Sequence, residues 1–298
     1  MREDRPILGP IVATVFPVYF VAALGFVYGR LRPIRTDLLA DLIVYISSPC
    51  LAFVFLTQRP IRLEEVSIVV GSGLAVTLCV GALALPILRL LKAPSTVFLP
   101  PVMFMNAGNM GMPFALYAFG EAGLSRQVLL FVLGSFLHSS LGVYLVSRKQ
   151  GTWEFLRLPI VYATFLGVAV NFLGWRPPAT LMRPLELLGG ITIPLMILTL
   201  GLKLSTVRLR AVKLPLLAAS LRLGLGFLVG VVLFFLLGPE RLESKVILLY
   251  SVLPPAVANF IYAEKFRQNA DQVAATIMLG TLISMLTSPL VLYLAYRF

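Results

Sequence analysis

Apolar runs of about twenty residues, each long enough to cross a bilayer as a helix, recur along the whole chain with short polar stretches between them. Their spacing predicts ten helical spans, at roughly 7–28, 37–57, 66–91, 96–119, 127–147, 155–174, 181–202, 214–237, 244–264 and 272–296. No stretch between them is long enough for a soluble domain. Trp153 and Trp175 flank the sixth span. At helical rise they stand roughly 33 Å apart, the separation of ring anchors at two membrane interfaces.

Two spans interrupt the apolar pattern. The fourth carries VMFMNAGNMGMPFALYAFG, Val102 to Gly120, with two asparagines, three glycines and a proline within a few turns. Gly108 and Gly111 weaken a helix, and Pro113 removes an N–H and disfavours helical geometry at Met112. Side-chain amides in lipid carry a further cost unless they serve a cavity or a neighbour. The pattern predicts a discontinuous helix broken near Asn106–Pro113, its free ends lining a polar cavity. The plainer alternative is a kinked helix whose amides bond to neighbouring helices. In the ninth span, Pro254 and Pro255 make a second break and Asn259 supplies an amide.

The chain also repeats. Asp41-LIVYISS-Pro49 in the second span matches Glu186-LLGGITI-Pro194 in the seventh, 145 residues later, and the two broken spans lie near the same offset. Five spans per unit is an odd number, so the second unit enters the membrane from the opposite face. The expected fold is therefore all-α and integral to the membrane: ten helices in two inverted five-helix repeats, 1–147 and 148–298, with helices 4 and 9 broken.

Composition agrees: the chain is 59% hydrophobic and 13% charged, outside the range of soluble domains. Its net charge of +12 comes from basic residues scattered through short loops, which suits anionic headgroups and not nucleic acid. Loops after odd-numbered spans hold fourteen Lys and Arg against ten on the other face, which places both termini outside the cytoplasm. The amino terminus lacks a small-residue cleavage site and reads as a first span, not a signal peptide. Cys50 and Cys79 lie within spans and form no metal-ligand pattern.

NAGNMGMPFALYAFGEAGL resembles the asparagine-glycine-proline signature of the fourth helix in the auxin efflux carrier family, whose bacterial members include malonate and malate permeases. ISSPCLAFVFL, IPLMILTLGLKL, PPAVANFIYAEKF and TSPLVLYL resemble its second, seventh, ninth and tenth helices. The resemblance covers essentially the whole chain. Residues 148–157 take the place of the long central loop of many plant members, so the chain looks like the compact prokaryotic type of the cytoplasmic membrane. The resemblance implies a fold shared with bile-acid and proton/sodium transporters. Helices 1, 2, 6 and 7 would form a scaffold, and helices 3–5 and 8–10 a moving, elevator-type transport domain. It also implies small organic anions as substrates.

The residues themselves point the same way. Half-helices beginning at mid-membrane aim unpaired N–H groups and a positive dipole end at the cavity. Asn106, Asn109 and Asn259, with Gly108, Gly111, Pro113, Pro254 and Pro255 shaping the backbone, make a neutral, donor-rich cage for a carboxylate. His138, with Ser135 one turn earlier, reads either as a relay or as a satisfied imidazole. Glu264 reads as a site for a coupling H⁺ or Na⁺ or as a partner of Lys265. Asp41, Pro49, Glu186 and Pro194 read as scaffold, the carboxylates pairing with cations such as Arg183. Gly226 and Gly230 form a small-residue packing face, within the chain or across a homodimer. No nucleophile–base pair, zinc set or opposed aspartates stand at working spacing, so an enzyme is disfavoured and no resident cofactor is expected. The leading expectation is a secondary carrier of mono- or dicarboxylates. A sodium-coupled organic-anion symporter and an auxin-like weak-acid efflux carrier are the alternatives.

Overall fold

The computed structural model describes residues 7–32, 34–58, 60, 62–147, 156–207 and 212–298. The described chain is helical throughout, with seven helices long and apolar enough to cross a membrane. It runs α1 (Leu8–Leu31), α2 (Thr36–Leu42), α3 (Ser48–Thr57), α4 (Leu63–Leu90), α5 (Ser95–Met103), α6 (Met112–Leu137) and α7 (Val143–Ser147). After residues 148–155, which lie outside the described set and include Trp153, come α8 (Pro159–Phe172), α9 (Ala179–Gly190) and α10 (Thr192–Ser205). The chain closes with α11 (Lys213–Leu237), α12 (Leu242–Ser251), α13 (Ala258–Lys265) and α14 (Ala270–Arg297). Helical structure stands at all ten expected spans, although α8 and the halves of the broken elements are individually short.

The prolines explain most of the irregularities. A proline ring presses on the carbonyl four residues earlier and offers no N–H to it. Ahead of Pro49 and Pro113 the helix widens into single π turns, Ile43–Ser47 and Ala107–Gly111, which let that carbonyl turn aside. Ahead of Pro194, α9 ends at Gly190, and α10 starts after a one-residue turn. Pro113 therefore does not make the break expected at Asn106–Pro113. The interruption lies just upstream, at Phe104–Asn106, after the Pro100–Pro101 pair in α5, and Pro113 sits in the second position of α6. The loop expected between the fourth and fifth spans is also absent. Gly120, at φ 65°, turns the chain within one residue, and Glu121 to Arg126 are helical.

Glycines set the tightest crossings. α1 lies along α10 with Gly25 against the Leu198 carbonyl and Gly201 against that of Ala22, so neither site has room for a Cβ. Gly226 and Gly230 face Ser251 of α12 in the same way. Their small-residue face is thus used within the chain. α3 packs on α8 and α9, whereas α11 packs on α12 and α14, and α4 on α5.

Arg126, counted above among the loop cations, lies in α6. It bridges Glu65 at the start of α4 (2.8 Å) and Glu243 at the start of α12 (2.6 Å from Nε). Removing it leaves the buried Glu243 and half-buried Glu65 carboxylates without their shared cation. Arg126→Met is expected to cost about 1–3 kcal/mol, less than a fully buried pair, read as a lower thermal midpoint of the purified protein.

Candidate functional site

The two breaks cross. Met105 stands opposite Pro255 as in an antiparallel ribbon, flanked by Asn106 N–H donating to Pro254 O (2.8 Å) and Ala256 N–H to Phe104 O (2.9 Å). Neither Pro254 nor Pro255 has an N–H to give, so α12 cannot run on into α13. The extended residues instead satisfy one another across the crossing, as backbone buried away from water must. Asn259 locks this junction: its Nδ2 donates to Phe104 O (3.2 Å) and Ala256 O (2.9 Å). Gln127, also fully buried, donates to Ala107 O (3.0 Å) where the second half of the first broken element begins.

Beside the crossing lies a cavity of about 260 Å³. Asn106, Gly108, Asn109, Ser135 and His138 line it. Asn106, like Ser48, His138 and Thr199, lines it with a buried polar atom that has no partner among the described residues. Its Oδ1 accepts the Asn109 N–H (3.2 Å), which fixes the orientation of the amide, and its Nδ2 has no partner among the described residues. A buried donor left open costs free energy that only a ligand or water can recover. His138 stacks on Phe104 (4.4 Å between centroids, 12° between planes) and meets Tyr262 edge-on. Ser139 and Ser140 are turned back onto carbonyls of their own helix.

The other predicted residues take different places. Gly111, Pro113, Pro254, Pro255 and Asn259 stand behind the cavity wall and shape the crossing. A Cβ at Gly111 would strike the Gln127 amide, and one at Gly108 would stand 2.8 Å from the Phe131 ring. Asp41 and Glu264 line a larger cavity of about 680 Å³, together with Asp37 and Asp271. Pro49 and Pro194 terminate the irregular turns described above. Glu186 is exposed, with a long contact to Gln58 (3.5 Å).

Two cations belong to this region that the sequence pattern had not assigned to it. Lys203 falls in the last turns of α10 rather than in a loop, and it lines both cavities. Among the described residues that line the two cavities, it is the cation they share. Arg222, in the middle of α11, belongs to neither set of loop cations and is fully buried. Its guanidinium donates to Val102 O (3.1 Å), Met103 O (3.3 Å) and Ser251 O. A lone arginine in the apolar run LLAASLRLGLGFLV was the signal that marked it.

A family model described as "Membrane transport protein" matches residues 10–155 and 146–292. An uncharacterized transporter of Methanocaldococcus jannaschii is 24% identical over 93% of this chain and 95% of its own length. A Rhizobium meliloti protein named "Putative malonate transporter" is 25% identical over 96% of each chain. A second uncharacterized transporter, from Methanothermobacter thermautotrophicus, is 29% identical over 62% of this chain and 63% of its own.

Proposed function

The chain belongs to the membrane transport protein family, that of the auxin efflux carriers, and on this footing we propose that it is a secondary carrier of small carboxylates. The observation that carries the reading is the buried Asn106 Nδ2, without a partner among the described residues, on a residue that lines the 260 Å³ cavity together with Lys203. A carboxylate held there gains an amide donor and a cation without a closed ion-pair cage, so it can also leave. The Rhizobium relative's name makes malonate the first substrate to try.

The mechanism we infer is alternating access by an elevator-type movement. Ten spans in two inverted repeats, 1–147 and 148–298, give two groups of helices. The close packing of α1 on α10 and of α3 on α8 and α9 supports a scaffold made from the first, second, sixth and seventh spans. That of α11 on α12 and α14, and of α4 on α5, supports a moving unit made from the rest. The cavities lie between them, with Asp37, Asp41 and Lys203 from the first group and Glu264 and Asp271 from the second. With both termini outside, in a prokaryotic cytoplasmic membrane, the larger cavity opens inward. This is a carrier and not a catalyst, and its partners are an anion and the bilayer.

Counterflow of labelled malonate in proteoliposomes, alongside malate and acetate, tests the reading. Lys203→Gln is expected to raise the half-saturating concentration roughly fivefold to tenfold, as loss of a partly solvated charge-assisted contact should. Absence of counterflow with every carboxylate would remove the proposal.

A further inference from the structure

At the crossing, two half-helices end and two begin. α5 and α12 arrive with their carbonyl ends, and the elements starting at Ala107 and Ala258 leave with their N–H ends. Each end carries about half an elementary charge, negative for the carbonyl end and positive for the other. Left alone, the two pairs cancel, and the crossing has no preference for an anion over a cation.

Arg222 breaks that balance. Its three acceptors, Val102, Met103 and Ser251, are the carbonyls of the last turns of α5 and α12. It is fully buried, its Nε has no partner, and among the described residues it forms no ion pair with a carboxylate. The Gly226 and Gly230 face seats α11 against Ser251 closely enough for the guanidinium to reach both helix ends. Arginine suits this task because its planar fork serves several oxygens at fixed angles, which a lysine ammonium does less well. One guanidinium charge matches the two negative ends, about half a charge each.

We propose that Arg222 is a resident cation of the crossing. It takes the main-chain oxygens that a coupling metal ion would otherwise ligate, and by neutralising the negative helix ends it leaves the positive ends to hold the anion. The carrier therefore works without bound sodium. The second part rests on the carboxylate reading above; the first does not.

The test needs no substrate. Thermal unfolding of the purified protein is followed in NaCl, KCl and N-methylglucamine chloride at equal ionic strength. The wild type is expected to unfold at the same temperature in all three. Arg222→Met empties the carbonyl cage without adding a donor. It should unfold earlier and recover several degrees with ~100 mM sodium but not with N-methylglucamine, since an ion bound only by the folded state raises its stability. Arg222→Lys should need no sodium. Merely structural loss would not create a sodium response. A wild-type midpoint that rises selectively with sodium would overturn the proposal. So would a folded Arg222→Met protein indifferent to sodium. If that variant does not fold, the wild-type comparison and Arg222→Lys still decide. Loss of malonate counterflow alone bears on the substrate and leaves these results standing.

Discussion

Asn106→Asp is expected to abolish carboxylate transport at neutral pH while leaving the protein folded. The substitution nearly keeps the shape of the side chain, and its remaining oxygen can still accept the Asn109 N–H. What changes is the group at Nδ2, an unpartnered donor on a residue that lines the cavity. An ionised oxygen there sets a like charge against the substrate, and repulsion at close range in a low-dielectric site outweighs any single hydrogen bond. Lowering the pH to protonate the new carboxyl should restore part of the activity, provided the wild type keeps its own there. Asn106→Ala removes only the donor and should weaken binding by about tenfold or more, the worth of a hydrogen bond to a charged partner. Asn259→Ala should behave differently. Its Nδ2 is spent on Phe104 and Ala256, so it should lower the thermal midpoint more than the affinity. Intact transport by Asn106→Asp at neutral pH would show that the anion sits elsewhere.

The second large effect is on stability. Alanine is normally the better helix former than glycine by up to about 1 kcal/mol. At Gly201 that gain is lost, because a Cβ there would meet the Ala22 carbonyl and the Phe26 amide N at 2.7 Å, both main chain. Backbone cannot rotate away as a side chain can, so α1 and α10 must separate. Overpacking of this kind typically costs 1–3 kcal/mol, more than the propensity gain. Gly201→Ala should therefore lower the thermal midpoint by several degrees. Gly71→Ala, where a Cβ meets nothing within 4 Å, should leave it unchanged or slightly raised. Equal effects at the two sites would mean that the close approach of α1 and α10 is not what holds them.

Much of this was legible in the amino-acid sequence. Hydropathy of period and length suited to a bilayer located the seven helices long enough to cross a membrane among the described residues, because in lipid each must satisfy its own backbone. Paired prolines marked the second break where it occurs, since α12 lacks an N–H at Pro254 and Pro255 to continue. The asparagine-rich motif pointed to the family and to the neighbourhood of the cavity. The sequence could not divide the amides by role. Asn106 and Asn259 look alike in their motifs, yet one leaves its amide donor unpartnered beside the cavity and the other spends its donor on the crossing. That difference arises from which carbonyls the second break brings within reach, a matter of contact between segments about 150 residues apart. The same holds for Pro113, whose effect is absorbed by a π turn, and for the Gly226–Gly230 face, whose partner is Ser251. Lys203 and Arg222 show the limit most clearly. Composition counts a cation wherever it stands, but only the tertiary structure decides whether lipid headgroups, a cavity or the ends of two helices receive its charge.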